Sequence, residues 1–186
     1  MMVGMGAAEQ HAQDAGRFGQ LVDSASGRDW DRPSPVQGWT ARDVVYHLVE
    51  WLPGFIERAG VTLEPVDLDH LEHAWRHRCD EVQDVLERRS DETFESPMFG
   101  TMTIGSALDR FYTNDVWMHS WDLAKALGHD FDLDEDRCAA ALTAMEPMDA
   151  ALRQGDQFGP QVDVPADASA QDRFLGFIGR DPHWRG

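Results

Sequence analysis

Residues 103–127 restrict the possible folds of this chain more than any other stretch. Leu108, Phe111, Tyr112, Val116, Leu123 and Leu127 recur there at helical spacing, and Gly128 follows as a natural helix stop. An apolar stripe of that length needs other helices to cover it. Within it Asp115 and His119 stand four residues apart, one turn of helix, so both side chains leave the same face.

The rest of the chain is punctuated in the same manner. A first helix is expected over 7–25, ending before Gly27. The two prolines and the glycine of residues 32–38 then demand a loop. Thr40 follows as an N-cap with Asp43 three residues on, a close variant of the capping box, and Trp39 and Val44 are placed to staple the turn. Val44, Val45, Leu48, Trp51 and Leu52 form the apolar face of this second helix. Pro53-Gly54 kinks or ends it, although Phe55 and Ile56 continue the pattern. A third helix is expected over 67–89, with Leu71, Trp75, Val82, Val85 and Leu86 inward, then a loop or short hairpin over 93–102. The 103–127 helix is the fourth.

A fifth helix begins at Asp134, with Glu135 and Asp136 in its favourable first turn, carries Ala140, Leu142, Met145 and Leu152, and stops before Gly155. Residues 158–165 read as extended. A last helix starts at Ser169, buries Phe174, Phe177 and Ile178, and stops at Gly179. The expectation is an all-α protein: a four-helix bundle with additional short helices and room for a small hairpin, as one domain over 1–186.

Composition removes several functions. The formal charge of -18 repels nucleic acid and anionic membrane, which both need clustered basic residues. Lys125 is the only lysine, a bias of composition and not of function. Cys79 and Cys138 are too few and too far apart for a disulfide framework or a zinc ribbon, and helical context favours buried free thiols. With no basic-then-apolar start and no apolar run of about 18 residues, a soluble, cytoplasmic protein is expected.

Two imidazoles and one carboxylate, His47 from the second helix with Asp115 and His119 from the fourth, have the chemistry to hold a divalent ion such as Zn, Ni or Fe with positions left open. Spacing alone leaves other readings standing. An i,i+4 Asp–His pair also serves as a hydrogen-bonded couple, and His47 as a core or surface residue. His70, His73 and His77 make a competing set on one helix face, yet Glu72, Arg76, Arg78 and Asp80 beside them fit a solvated surface. His11, His129 and His183 stand alone. Asp122 is either an outer hydrogen-bond partner of a ligand or a surface carboxylate, and capping already accounts for Asp43. Trp39, Trp117 and Trp121 flank the candidate ligands, for packing or for lining a pocket.

The runs Pro35-Val-Gln-Gly-Trp-Thr-Ala-Arg-Asp-Val-Val-Tyr-His47 and Asp115-Val-Trp-Met-His119-Ser-Trp-Asp-Leu-Ala-Lys-Ala-Leu-Gly128, with the ending from Phe158 to Trp184, resemble the DinB/YfiT-like superfamily. Within it the chain is similar to actinobacterial metal-binding proteins related to the N-terminal domain of mycothiol-dependent maleylpyruvate isomerase. That resemblance implies a DinB-like four-helix bundle with a metal, zinc foremost, held by His47, Asp115 and His119; the isomerases have Glu where this chain has Asp115. They also carry a C-terminal domain that this chain is expected to lack, so its substrate contacts are not carried over.

Three functions follow as expectations. The first is a metal-dependent transferase or isomerase of small molecules that uses a low-molecular-weight thiol of the mycothiol type. The second is a non-catalytic, stress-associated metal-binding module, and the third a metal-dependent hydrolase, for which no second His or carboxylate stands at a spacing that names a general base. Partners would be a small-molecule substrate or thiol, with the protein a monomer or homodimer.

Overall fold

The computed structural model describes residues 5–97, 99–154 and 158–186. Helices α1 (Ala7–Ser24), α2 (Ala41–Ile56), α3 (Leu71–Arg89) and α5 (Asn114–Leu127) form the bundle. Its circular order is α1, α3, α2, α5: α1 packs on α3 and α5, and α2 packs on the same two. Phe18, Leu48, Leu52, Trp75, Leu86 and Val116 meet in its core. A short hairpin, β1 (Thr93–Ser96) with β2 (Gly100–Thr103), pairs antiparallel with Thr93 opposite Thr103. It leads into a one-turn helix α4 (Ile104–Ala107). Among the described residues no helix is long and apolar enough to cross a membrane.

The caps read from the sequence hold. Thr40 accepts from the Asp43 amide, and the Asp43 carboxylate accepts from the Thr40 amide at 2.7 Å. Such a cap stabilises a helix by about 1 kcal/mol. Asp134 and Ser169 cap α6 (Glu135–Met145) and α8 (Ala170–Phe177) by accepting from the Arg137 and Asp172 amides. Several boundaries move. Pro53 lies inside α2, which runs on to Ile56 and ends through a 3-10 turn at Gly60, where φ is +68°. The third helix starts at Leu71 and not at 67, because Asp67 spends its carboxylate on the Asp69 amide and the His70 ring, a turn that competes with helix. Pro147 divides the fifth helix into α6, a 3-10 turn and α7 (Asp149–Gln154). The expected stop at Gly155 lies outside the described residues.

The fourth helix is continuous through residues 104–127 but winds as π-helix over Leu108–Thr113. A π turn takes in one residue more than an α turn and is frequent beside functional sites. Beyond it α5 is buried on nearly every side from Val116 to Ala124. One face belongs to the bundle. The other carries Trp117, Met118 and Trp121 into a second apolar cluster with Leu133, Cys138, Leu142, Phe174 and Ile178 from the C-terminal third. The expected flanking of the candidate ligands by Trp117 and Trp121 is thereby resolved as packing.

Helix α8 lies against the extended residues 158–165, with the Val162 amide donating to the Gly176 carbonyl at 2.9 Å. A Cβ at Gly176 would meet the Val162 carbonyl oxygen at 2.6 Å, so only glycine allows this approach. Gly176→Ala is expected to destabilise the protein by about 1–3 kcal/mol, read as a lower denaturation midpoint at unchanged slope.

His11, which spacing left without a role, is 1% exposed beside Tyr112, with Nδ1 2.9 Å from Gln83 Oε1. Burial pulls its pKa below the ordinary value, against the opposing effects of Gln83 and Asp14. The unfolded chain takes up that proton near pH 6.5, earlier than the folded one, so the stability due to neutral His11 is complete above about 6.5 and declines below it. We expect melting temperature to fall between pH 7 and pH 5, and His11→Gln to flatten that fall. The His11 share of the slope cannot exceed about 1.4 kcal/mol per pH unit.

Candidate metal centre

His47, Asp115 and His119 converge. One donor atom from each lies within 4.8 Å of the others, and no other set of three His, Cys, Asp or Glu donors is this close among the described residues. His47 Nε2 stands 3.0 Å from Asp115 Oδ2, and His119 Nε2 stands 3.5 Å from Asp115 Oδ1. The two imidazole centroids are 5.0 Å apart. Helix α5 supplies the i,i+4 pair, and α2 brings His47 across because Val44, Val45 and Leu48 bury against α5 and α3. The His47 side chain keeps 33% of its surface against 7% for His119, so the centre opens on the α2 side.

Two tryptophans shape the opening. The loop of residues 32–40 folds back on itself, with the Ser34 amide bonded to the Trp39 carbonyl and the Ala41 amide to the Arg32 carbonyl. Arg32 also donates to the Leu127 carbonyl at 2.9 Å, satisfying an orphan acceptor at the end of α5. So braced, Trp39 stacks on His119 at 5.7 Å and leans on His47 at 5.1 Å. Trp51, read from the sequence only as part of an apolar face, donates its indole N–H to Asp115 Oδ2 at 3.0 Å. The signal was available: Trp51 lies one turn beyond His47 on the same helix face.

Asp122 is 1% exposed and is not a surface carboxylate. Its Oδ2 is 2.9 Å from His119 Nδ1, so an imidazole that donates there keeps Nε2 as a lone-pair donor facing Asp115. Arg180 grips Asp122 from the other side, with Nε 3.1 Å from Oδ1 and Nη2 3.1 Å from Oδ2, while Nη1 donates to the Ile178 carbonyl. Arg180 is itself 7% exposed, in the turn that follows Gly179. Sequence reasoning missed it because 58 residues separate the pair.

Both carboxylates stay ionised. Burial works to raise the Asp115 pKa, but the imidazoles of His119 and His47 and the indole of Trp51 outweigh it and hold the group below the ordinary value. For Asp122 burial is likewise overcome, chiefly by Arg180 and then by His119. The thiols behave oppositely. Half-buried Cys79 is pushed up strongly by burial, and Cys138, buried beside Glu135 and Asp134, is pushed up to about 12. Neither thiol is a nucleophile near neutral pH.

The His70, His73 and His77 set falls elsewhere, on the exposed face of α3.

An all-helical bundle with a two-histidine, one-aspartate centre across two of its helices defines the class of protein. The chain belongs to the mycothiol maleylpyruvate isomerase N-terminal domain family, which matches residues 11–124 and so includes all three converging side chains but not Arg180. It is similar to uncharacterized proteins from two strains of Mycobacterium tuberculosis, CDC 1551 and H37Rv, each 28% identical over 180 residues that cover 93% of this chain and 96% of the relative. No solved structure matches the chain.

Removing one partner of a buried ion pair strands the other charge, at a cost of about 3–5 kcal/mol. Arg180→Ala is therefore expected to destabilise the protein by that order in chemical denaturation. Adding Asp122→Asn should recover part of the loss, since the stranded charge is then gone, and the double-mutant cycle measures the coupling.

Proposed function

We propose that this protein holds a divalent metal ion on His47, Asp115 and His119 and uses it to promote transfer of a low-molecular-weight thiol to a small electrophile, or a thiol-assisted isomerisation. The convergence of the three donors within 4.8 Å carries this reading. Two imidazole nitrogens and a carboxylate oxygen suit zinc foremost, and nickel or iron as well. Three protein donors are the complement of catalytic sites that keep a position open, not of closed structural ones. A bound ion of this kind supplies one effect: a thiol set against it gives up its proton near neutral pH.

The residues around the centre have separable tasks. Asp122 orients the His119 ring, and Arg180 holds Asp122 in place for that purpose. Trp51 fixes the rotamer of Asp115 by occupying one of its lone pairs. Trp39 walls the two imidazoles and keeps water from one side of them, which strengthens electrostatic attraction there. The protonated state of Cys79 and Cys138 argues that a thiol nucleophile comes from outside the chain. The family description names mycothiol, which makes it the first thiol to test. A small-molecule partner also agrees with the net charge of -18, which disfavours nucleic acid, and a thiol pool places the reaction in the cytoplasm.

Elemental analysis of the purified protein should find about one divalent ion bound at this centre. His47→Gln, at a partly exposed position that tolerates change, should lose it, as should Asp115→Asn. Incubation with mycothiol and a panel of electrophiles, followed by thiol disappearance, should give a rate that falls with chelator and in His47→Gln. Metal content unchanged in both variants would refute the site. Bound metal without thiol consumption would leave a metal-binding module with no thiol transfer.

A further inference from the structure

Helix α3 and the turn that leads into it carry a group of imidazoles that the centre above does not use. His70, His73 and His77 line one groove of about 370 Å³ together with Pro65, Val66, Asp67 and Ala74. His73 and His77 are i,i+4 on one helix face, the spacing at which two imidazoles from a single helix chelate one ion. His70 sits one turn before His73, with its ring stacked on the His73 ring at 6.2 Å and 25°.

The orientation of His70 is built. Its Nδ1 is 3.0 Å from Asp67 Oδ2, and Asp67 Oδ1 accepts from the Asp69 amide at 3.0 Å, which anchors the carboxylate. A carboxylate on one ring nitrogen fixes the tautomer and leaves the other nitrogen as a lone-pair donor, the usual support of a metal-binding histidine. The same arrangement recurs in the first centre as Asp122 on His119. At the far end His77 Nε2 is 3.6 Å from Glu81 Oε2, and Glu81 is held by Arg78 at 2.6 Å and by the Glu64 amide at 2.7 Å.

Charge selects a cation. Asp67 meets His70 and Glu81 meets His77, with Asp69 and Glu72 next to these histidines in the chain, while the neighbouring arginines are engaged, Arg76 with Asp23 at 2.6 Å and Arg78 with Glu81. An anion would meet repulsion there, and a divalent ion would meet lone pairs backed by carboxylates. We propose that His70, His73 and His77 form a second site for a borderline divalent transition-metal ion, with His73 and His77 as the chelating pair and His70 as the third donor set by Asp67. The His70 and His73 rings stand wider, at 6.2 Å, than the 5.0 Å between His47 and His119. They are also exposed, so they swing together on binding and the site is the weaker of the two.

Equilibrium dialysis of the full chain against Ni²⁺, with bound metal counted by elemental analysis, tests this. The unaltered chain should take up two ions and H73Q/H77Q one, with unchanged melting because both positions are exposed. H47Q should keep the groove ion, which separates this site from the first centre. Asp67→Asn should weaken the groove ion about tenfold while leaving His70, His73 and His77 in place. Equal uptake by the unaltered chain and H73Q/H77Q would overturn the proposal whatever the first centre does, and an unchanged affinity in Asp67→Asn would overturn the supporting role given to Asp67.

Discussion

Two carboxylates on one helix that is covered on nearly all sides, Asp115 and Asp122 on α5, set the constraint to which the surrounding structure answers. A buried unpaired carboxylate costs several kcal/mol, so each must be met by partners held in place by the fold. Asp115 is met by His47 and Trp51 from α2 and by His119 from its own helix. Asp122 is met by His119 and by Arg180 from the C-terminal turn. One imidazole thus joins the two acids, and the chain Asp115–His119–Asp122–Arg180 runs from the open side of the bundle into the second apolar cluster.

That chain gives the C-terminal third a part in the centre. Residues beyond 124 lie outside the family match, yet α6 and α8 close over Trp117 and Trp121, and the turn after Gly179 delivers Arg180. Without that cover, one side of α5 would face water and Asp122 would need no arginine. The tight contact at Gly176 therefore bears on the position of Arg180, four residues on, through packing of the extended segment on α8.

Much of the fold was legible because local rules act over a few residues. Thr40, Asp134 and Ser169 cap the helices they were expected to cap, and the apolar spacing of residues 103–127 identified the helix that became the centre of the molecule. The errors are local competitions: Asp67 drawing its own turn ahead of α3, Pro147 breaking α6 from α7, and a π turn that periodicity alone does not distinguish from α-helix. In the site, Asp115 and His119 were paired by spacing, whereas His47 depended on a resemblance. Trp51 was misread as packing alone, because an indole is both an apolar body and a donor.

The order of residues by itself determined where helices start and stop, which faces are apolar, and that Asp115 and His119 share a face, since each follows from contacts within one turn. Only the tertiary structure decided that His47 faces them, that Trp39 covers them, and that Arg180 reaches Asp122. These meetings depend on how separately capped helices pack and how loops return. Packing is set by burial of surfaces far apart in the chain, information that no short window of sequence contains.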